Sequence, residues 1–142
     1  MINVTEENIT LSCRAGSRDE ALRLAAFALQ TRGLVTEGFS DAILAREHEM
    51  STWLGSGVAM PHCARKDGET ILTTGYHILQ FPDGVKWQPG RIVFLVVVVA
   101  ARADEHINVL AGLADLLDDE RLITLLAKSQ SKSQFVSLLM DE

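Results

Sequence analysis

The sequence predicts an α/β domain with helices above and below a sheet. Three observations carry this. Residues 92–99, IVFLVVVV, are a continuous, mostly β-branched run without polar alternation, the pattern of a strand buried on both faces. The preceding stretch 73–81, TTGYHILQF, is also rich in strand formers. Around both lie segments with apolar residues at helical spacing and capping residues at their starts. With 142 residues, the chain has the length of one domain, 1–142. A chain of that size hides roughly 70% of its unfolded surface, so a two-sided core is within reach.

Taken in order, NITLSC at 8–13 reads as a first strand. Ser17 followed by Glu20 is a capping box. Leu22, Ala25-Ala26 and Leu29 continue at helical spacing until Gly33, a helix-ending glycine. A second, shorter helix is predicted over 39–47, with Phe39, Ala42-Ile43 and Arg46 in register. Glycines break the chain before the apolar triplet Val58-Ala59-Met60, which stops at Pro61-His62. The strand at 73–81 is expected to end in a turn at Pro82-Asp83-Gly84, with a second turn at Gln88-Pro89-Gly90 before the valine run. A helix is expected from Asp104, carrying Ile107, Leu110, Leu113-Ala114 and Leu117. Asp118-Asp119-Glu120 places acids where a helix dipole favours them, and Ser131 with Gln134 forms another capping box before Phe135, Leu138 and Leu139. No repeat, low-complexity segment or linker interrupts this order.

Bulk properties exclude several functions. The formal net charge is −6 and Arg65-Lys66 is the only adjacent basic pair, so the basic stripe that displaces counterions from nucleic acid is missing. Two cysteines, Cys13 and Cys63, are too few for a secreted disulfide framework. Thr5-Glu6-Glu7-Asn8 interrupts any apolar leader, and the apolar segment 92–101 is about half the length of a membrane span. A soluble, cytoplasmic protein with reduced thiols and no membrane insertion is expected.

The chemistry points first to His62, one of four histidines. One reading makes it a buried histidine bonded to a backbone carbonyl. The other starts from its neighbours: Pro61 stiffens the approach and ends strand pairing, and Gly55 and Gly57 allow close backbone approach. A rigid imidazole at a strand end suits general-base work, metal binding or phosphoryl carriage. His106 follows the buried strand and sits in the first turn of a predicted helix, where free N–H groups and positive potential favour a phosphate; its plain alternative is an exposed capping histidine. Arg46 ends the second helix, either complementing the dipole or offering its fork of donors to phosphate. His48 has no close zinc-ligand spacing to His62, His77 reads as a sheet-face residue, and nothing near Cys63 lowers a thiol pKa. No glycine-rich nucleotide loop is present.

Read together, these residues are recognisable. The blocks EENITL, AREHEMSTWLGSGVAMPH, TTGYHILQFPDGVKW and AARADEHINVLAGLADLLDDE, in that order, resemble the enzyme IIA component of the bacterial phosphoenolpyruvate-dependent sugar phosphotransferase system. The class is the mannitol/fructose one, with the likeness strongest to mannitol-type domains. The resemblance implies a three-layer α/β/α domain with a mixed sheet. It implies that His62 is phosphorylated by the phosphohistidine of HPr and passes the group to a cysteine of a IIB component. His106 would help hold the phosphoryl group and Arg46 would be its electrostatic partner, with no cofactor or metal. It further implies a free-standing cytoplasmic component.

Two positions depart from the family pattern. Ser56 stands where mannitol-type domains carry a glutamate, which puts strict mannitol specificity in doubt. Cys63 replaces the usual glycine after the histidine and is expected to crowd the rim and make the site thiol-sensitive. Besides the sugar carrier, three readings compete: a nitrogen-branch regulatory IIA signalling through His62, a hydrolase with His62 as base, and a degenerate scaffold.

Overall fold

The valine run lies at the centre of the sheet. The structure, a computed structural model, describes residues 3–102 and 105–140, and of His106 and Ile107 the backbone alone. In chain order the elements are β1 (Ile9–Thr10), α1 (Arg18–Thr31), α2 (Gly38–Glu49), β2 (Trp53–Gly55), β3 (Val58–Ala59), β4 (Gly75–Gln88), β5 (Arg91–Ala100), α3 (His106–Leu116), α4 (Glu120–Lys128) and α5 (Lys132–Met140). The sheet runs β1-β4-β5-β3-β2. β1 is parallel to β4 and β3 to β5, while β4–β5 and β2–β3 are antiparallel. The sheet is mixed, as expected.

Strand alternation makes the three layers. Val96, Val98 and Ala100 join a cluster with Leu22 and Leu29 of α1 and Phe39 and Ile43 of α2. Leu95, Val97 and Val99 join another with Leu113, Ile123, Leu126 and Phe135 of α3–α5. All six of these β5 side chains are fully buried, the four valines and Leu95 each contributing about 1.5–3 kcal/mol. A polar residue on either face would have no water to meet, which is why this strand shows no alternation in its sequence.

Both predicted helix starts form, with a shared variation. Ser17 accepts from Glu20 N–H at 3.1 Å and Ser131 from Gln134 N–H at 3.1 Å. The return arm goes one residue further out than in a standard box: Gly16 N–H donates to Glu20 Oε2 and Gln130 N–H to Gln134 Oε1. Gly33, at φ +74°, closes α1 with the paired bonds Leu34 N–H to Leu29 and Gly33 N–H to Gln30, a Schellman ending. The expected helix start at Asp104 falls outside the described residues.

Two strand expectations need correction. The first strand is only Ile9–Thr10, because Ser12 turns left-handed at φ 57° and its N–H goes to the Gln80 side chain. Pro82-Asp83-Gly84 does not reverse the chain; it is a bulge within the continuous β4. Gln80 pairs with Leu95 and Val85 with Val93, so residues 81–84 face Phe94 alone. A bulge tolerates a proline without an N–H. The reversal comes at Pro89-Gly90, between paired Gln88 and Arg91, with Gly90 at φ +75° as a type II turn requires.

Candidate functional site

The parallel strands β3 and β5 end side by side, and the site forms there. Beyond Ala59 the pairing continues for one more bond, Val99 N–H to the Pro61 carbonyl at 2.9 Å. Pro61 has no N–H to extend it further, so the chain leaves the sheet at His62. Met60 is tied on its other side by its N–H to the Thr52 carbonyl at 3.0 Å. The Met60 carbonyl then meets His62 Nδ1 at 2.9 Å. A carbonyl only accepts, so Nδ1 carries the proton, and the neutral ring keeps its lone pair on Nε2.

His62 is partly exposed and lines a cavity of about 520 Å³. One wall comes from the end of α2 and from β2: Arg46, Trp53 and Leu54. The facing wall is Leu110, Ala111 and Ala114 of α3. The Arg46 guanidinium donates through Nη1 to the Met50 carbonyl, which holds the cation at the last turn of its helix. The guanidinium of Arg91 stacks 4.1 Å from the centre of the Trp53 ring, fixing part of the same wall.

The helix that begins at His106 is anchored by a threonine. Thr74 donates to Glu105 Oε1 at 2.9 Å and accepts from Arg102 N–H at 3.0 Å. The passage from β5 into α3 is thereby tied to the residue before β4. His106 is the first residue of α3, the helix whose Leu110, Ala111 and Ala114 line the cavity. Its side chain, and with it the expected role beside His62, lies outside the described residues. The structure thus brings Arg46 and His62 to one cavity, with α3 beginning close in sequence to its far wall.

The other expectations resolve differently. Cys63 does not crowd the rim. It is 6% exposed and packed in the cluster shared with α1 and α2, and burial pushes its thiol above the ordinary range. Ser56 sits at φ 52° between Gly55 and Gly57, and lines a different cavity, with Phe94 and Ile123. His48 pairs with Asp19, 3.0 Å from Nε2 to Oδ1. This contact holds the Asp19 carboxyl below its usual range.

His77 is on the sheet as read, and is buried and fully partnered. Nε2 lies 2.7 Å from Thr10 Oγ1, and Nδ1 lies 3.3 Å from Arg32 Nη1. Guanidinium can only donate, so Nδ1 accepts and Nε2–H donates to the threonine. Burial first, then the charges of Arg32 and Lys132, lowers the His77 pKa to about 4.

Sequence reasoning missed Glu47 and Thr52. Glu47 is 2% exposed and its carboxylate accepts from Thr52 N–H and Trp87 Nε1–H, each at 2.9 Å, and from the Thr52 hydroxyl. A signal existed: Phe39, Ile43 and Glu47 fall at i, i+4 and i+8, so the acid stands on the buried stripe of α2. Thr74 gave no such signal.

The fold is therefore a mixed-sheet α/β domain whose cavity is lined by a histidine that follows β3 and by an arginine in the last turn of α2. Residues 3–142 match the family model of the phosphoenolpyruvate-dependent sugar phosphotransferase system, EIIA 2, and the chain belongs to that family. As such it is a phosphotransferase component of the phosphoryl-transfer cascade. Over all 142 residues it is 37% identical to 28% of a multiphosphoryl transfer protein of Haemophilus influenzae, so it spans about a third or less of that relative. Among solved structures it is similar to IIA mannitol of Escherichia coli, with TM-score 0.90 and 36% identity over 97% of this chain and 99% of that one. It also resembles the Escherichia coli complex of enzyme IIA and phosphorylated enzyme IIB for mannitol, with TM-score 0.91 and 34% identity over 99% of both chains. These matches agree with the three-layer fold. Among the described residues, no helix is long and apolar enough to cross a membrane.

Proposed function

We propose that the protein is a cytoplasmic phosphocarrier, occupying 1–142 as one IIA domain. His62 takes a phosphoryl group from the phosphohistidine of HPr and delivers it to a cysteine of a IIB component, serving uptake of a mannitol- or fructose-like sugar. The observation that carries this is the 2.9 Å bond from His62 Nδ1–H to the Met60 carbonyl.

The bond does two things. It selects the tautomer whose Nε2 lone pair attacks phosphorus. As that pair is donated, the ring gains positive charge and Nδ1–H becomes more acidic, so the bond to the carbonyl strengthens as transfer proceeds. An interaction that is stronger in the transition state accelerates the step. A new N–P bond forms at Nε2 while the donor's N–P bond breaks, and the donor imidazole leaves with that electron pair. Delivery reverses the logic: the thiolate of the acceptor forms an S–P bond and His62 recovers its lone pair. Arg46 and His106 offset the phosphoryl charge, in line with the positioning and charge stabilisation that phosphoryl transfer asks of a protein. Similarity to the Escherichia coli IIA–phosphorylated IIB complex supports the IIB partner and mannitol-like cargo.

The test incubates the protein with phosphoenolpyruvate, enzyme I and HPr, beside His62→Ala, and reads intact mass at neutral and acid pH. One acid-labile phosphoryl adduct, dependent on HPr and missing from the variant, is expected. No adduct, under conditions that load a control IIA protein, refutes the carrier role.

A further inference from the structure

We infer that Glu47 is the positioning residue of the site, fixing His62 through the main chain. This rests on the reading of His62 as the reacting group, but its geometry stands independently.

The connection is a continuous series of hydrogen bonds. Trp87 Nε1–H and Thr52 N–H converge on Glu47 Oε2, both at 2.9 Å, and the Thr52 hydroxyl closes on Oε1. Thr52 is thereby held by backbone and side chain at once. Its carbonyl receives Met60 N–H at 3.0 Å, and the Met60 carbonyl receives His62 Nδ1–H at 2.9 Å. Glu47 also directly follows Arg46, on the helix turn whose end the Arg46–Met50 bond marks. One buried carboxylate therefore sets both the arginine's helix end and the segment that orients the imidazole.

A carboxylate suits this position because it presents two acceptor oxygens to three donors. Trp87, on β4, supplies a fixed point across the α1/α2 side of the sheet. Glu47 thus ties α2, β2 and β4 together, beside strands that end at the site. Thr52 also lines the cavity, so a shift of Thr52 moves one wall and the imidazole together. Reach governs the role more than charge does. A glutamine keeps an acceptor for the two N–H groups and turns its amide N–H₂ to the threonine hydroxyl, which can accept. An aspartate keeps the charge, but its carboxylate is one methylene short.

The test compares Glu47→Gln, Glu47→Asp and Glu47→Ala by ¹⁵N-resolved NMR of the His62 ring. It reads the Nδ1–H exchange rate and the tautomer, neither of which needs phosphorylation. The methyl signals of Val97 and Val99, buried in the cluster on the opposite face of the sheet from Glu47, report whether each variant is folded. In the parent and Glu47→Gln, a protected Nδ1–H is expected. In Glu47→Asp and Glu47→Ala, exchange should rise, with a mixed tautomer signal, and phosphorylation by phospho-HPr should slow on the order of tenfold to a hundredfold. Should Glu47→Ala fail to fold, Glu47→Asp decides. A folded aspartate or alanine variant with Nδ1–H as protected as in the parent overturns the inference. So does a Glu47→Gln variant that loses that protection. If the parent takes no phosphoryl group, the carrier reading fails and the NMR result still stands.

Discussion

Replacing His77 by glutamine should remove an acid sensitivity that is built into the sheet. The parent imidazole is buried, and its Nδ1 accepts from Arg32 while its Nε2–H donates to Thr10. Protonation would place a cation against a guanidinium in a site closed to water. The folded pKa is about 4, against roughly 6.5 for an unperturbed histidine. Between those values the unfolded chain binds the proton and the folded chain does not, so stability falls as pH falls. The contribution is fully present above the unfolded pKa, is lost as pH drops from about 6.5 to about 4, and changes no further below that. With those two values, a single site loses on the order of 1 kcal/mol by pH 5.5 and on the order of 2–3 kcal/mol by pH 4.5. Urea unfolding at pH 7.5, 5.5 and 4.5, followed by tryptophan fluorescence, gives the stability of parent and His77→Gln. Carboxylates and the other histidines titrate in both proteins and cancel in the difference. The gap between the two should therefore narrow, or reverse in the variant's favour, by those amounts. Parallel pH profiles, within about 0.5 kcal/mol, refute the assignment of His77 as a neutral buried base.

Three further outcomes follow from the geometry. Gln80→Leu removes an amide that donates to the Leu126 and Ser129 carbonyls and accepts from Ser12 N–H. It should cost about 3 kcal/mol of unfolding free energy in urea, because buried partners lose their bonds. Gly84→Ala puts a Cβ 2.5 Å from Ile92 and 3.1 Å from Phe94 at a φ of +78°. A loss of about 1–3 kcal/mol, seen as a lower melting temperature, is expected with phosphorylation unaffected. Arg46→Ala should slow loading by phospho-HPr on the order of tenfold or more in stopped-time mass spectrometry, and Arg46→Lys should restore it only in part, since lysine lacks the planar fork.

What could be read from the sequence and what could not divide along a physical line. Residues 92–99 announced a two-sided sheet because burial on both faces suppresses alternation. Ser17, Gly33 and Ser131 announced helix ends because their chemistry is local. Pro82-Asp83-Gly84 misled because turn residues also build bulges, and only the partner strand decides which; the pairing of Gln80 and Val85 with Leu95 and Val93 is a long-range fact. At the site, Pro61 and His62 stood out by residue type. The Met60 carbonyl did not, since every residue has one. Adjacency to His62 suggests a rim position for Cys63, whereas its side chain turns into the core on the α1/α2 side. Glu47 was legible in principle as an acid on an apolar stripe, but its three donors come from residues 52 and 87, which no local pattern brings together.

The bond between the Met60 carbonyl and the His62 ring has a consequence for how this protein can vary. A contact made by main chain is not written in the identity of residue 60, so no substitution there deletes the acceptor. Met60 is free to drift among residues that fill the same buried space, and the ring keeps its tautomer through every generation of such change. Scanning the site by side-chain replacement would score position 60 only for packing and pass over its part in the chemistry. Exchanging the amide between residues 60 and 61 for an ester by chemical synthesis, which leaves a weaker acceptor at that carbonyl, is the kind of alteration that would expose it.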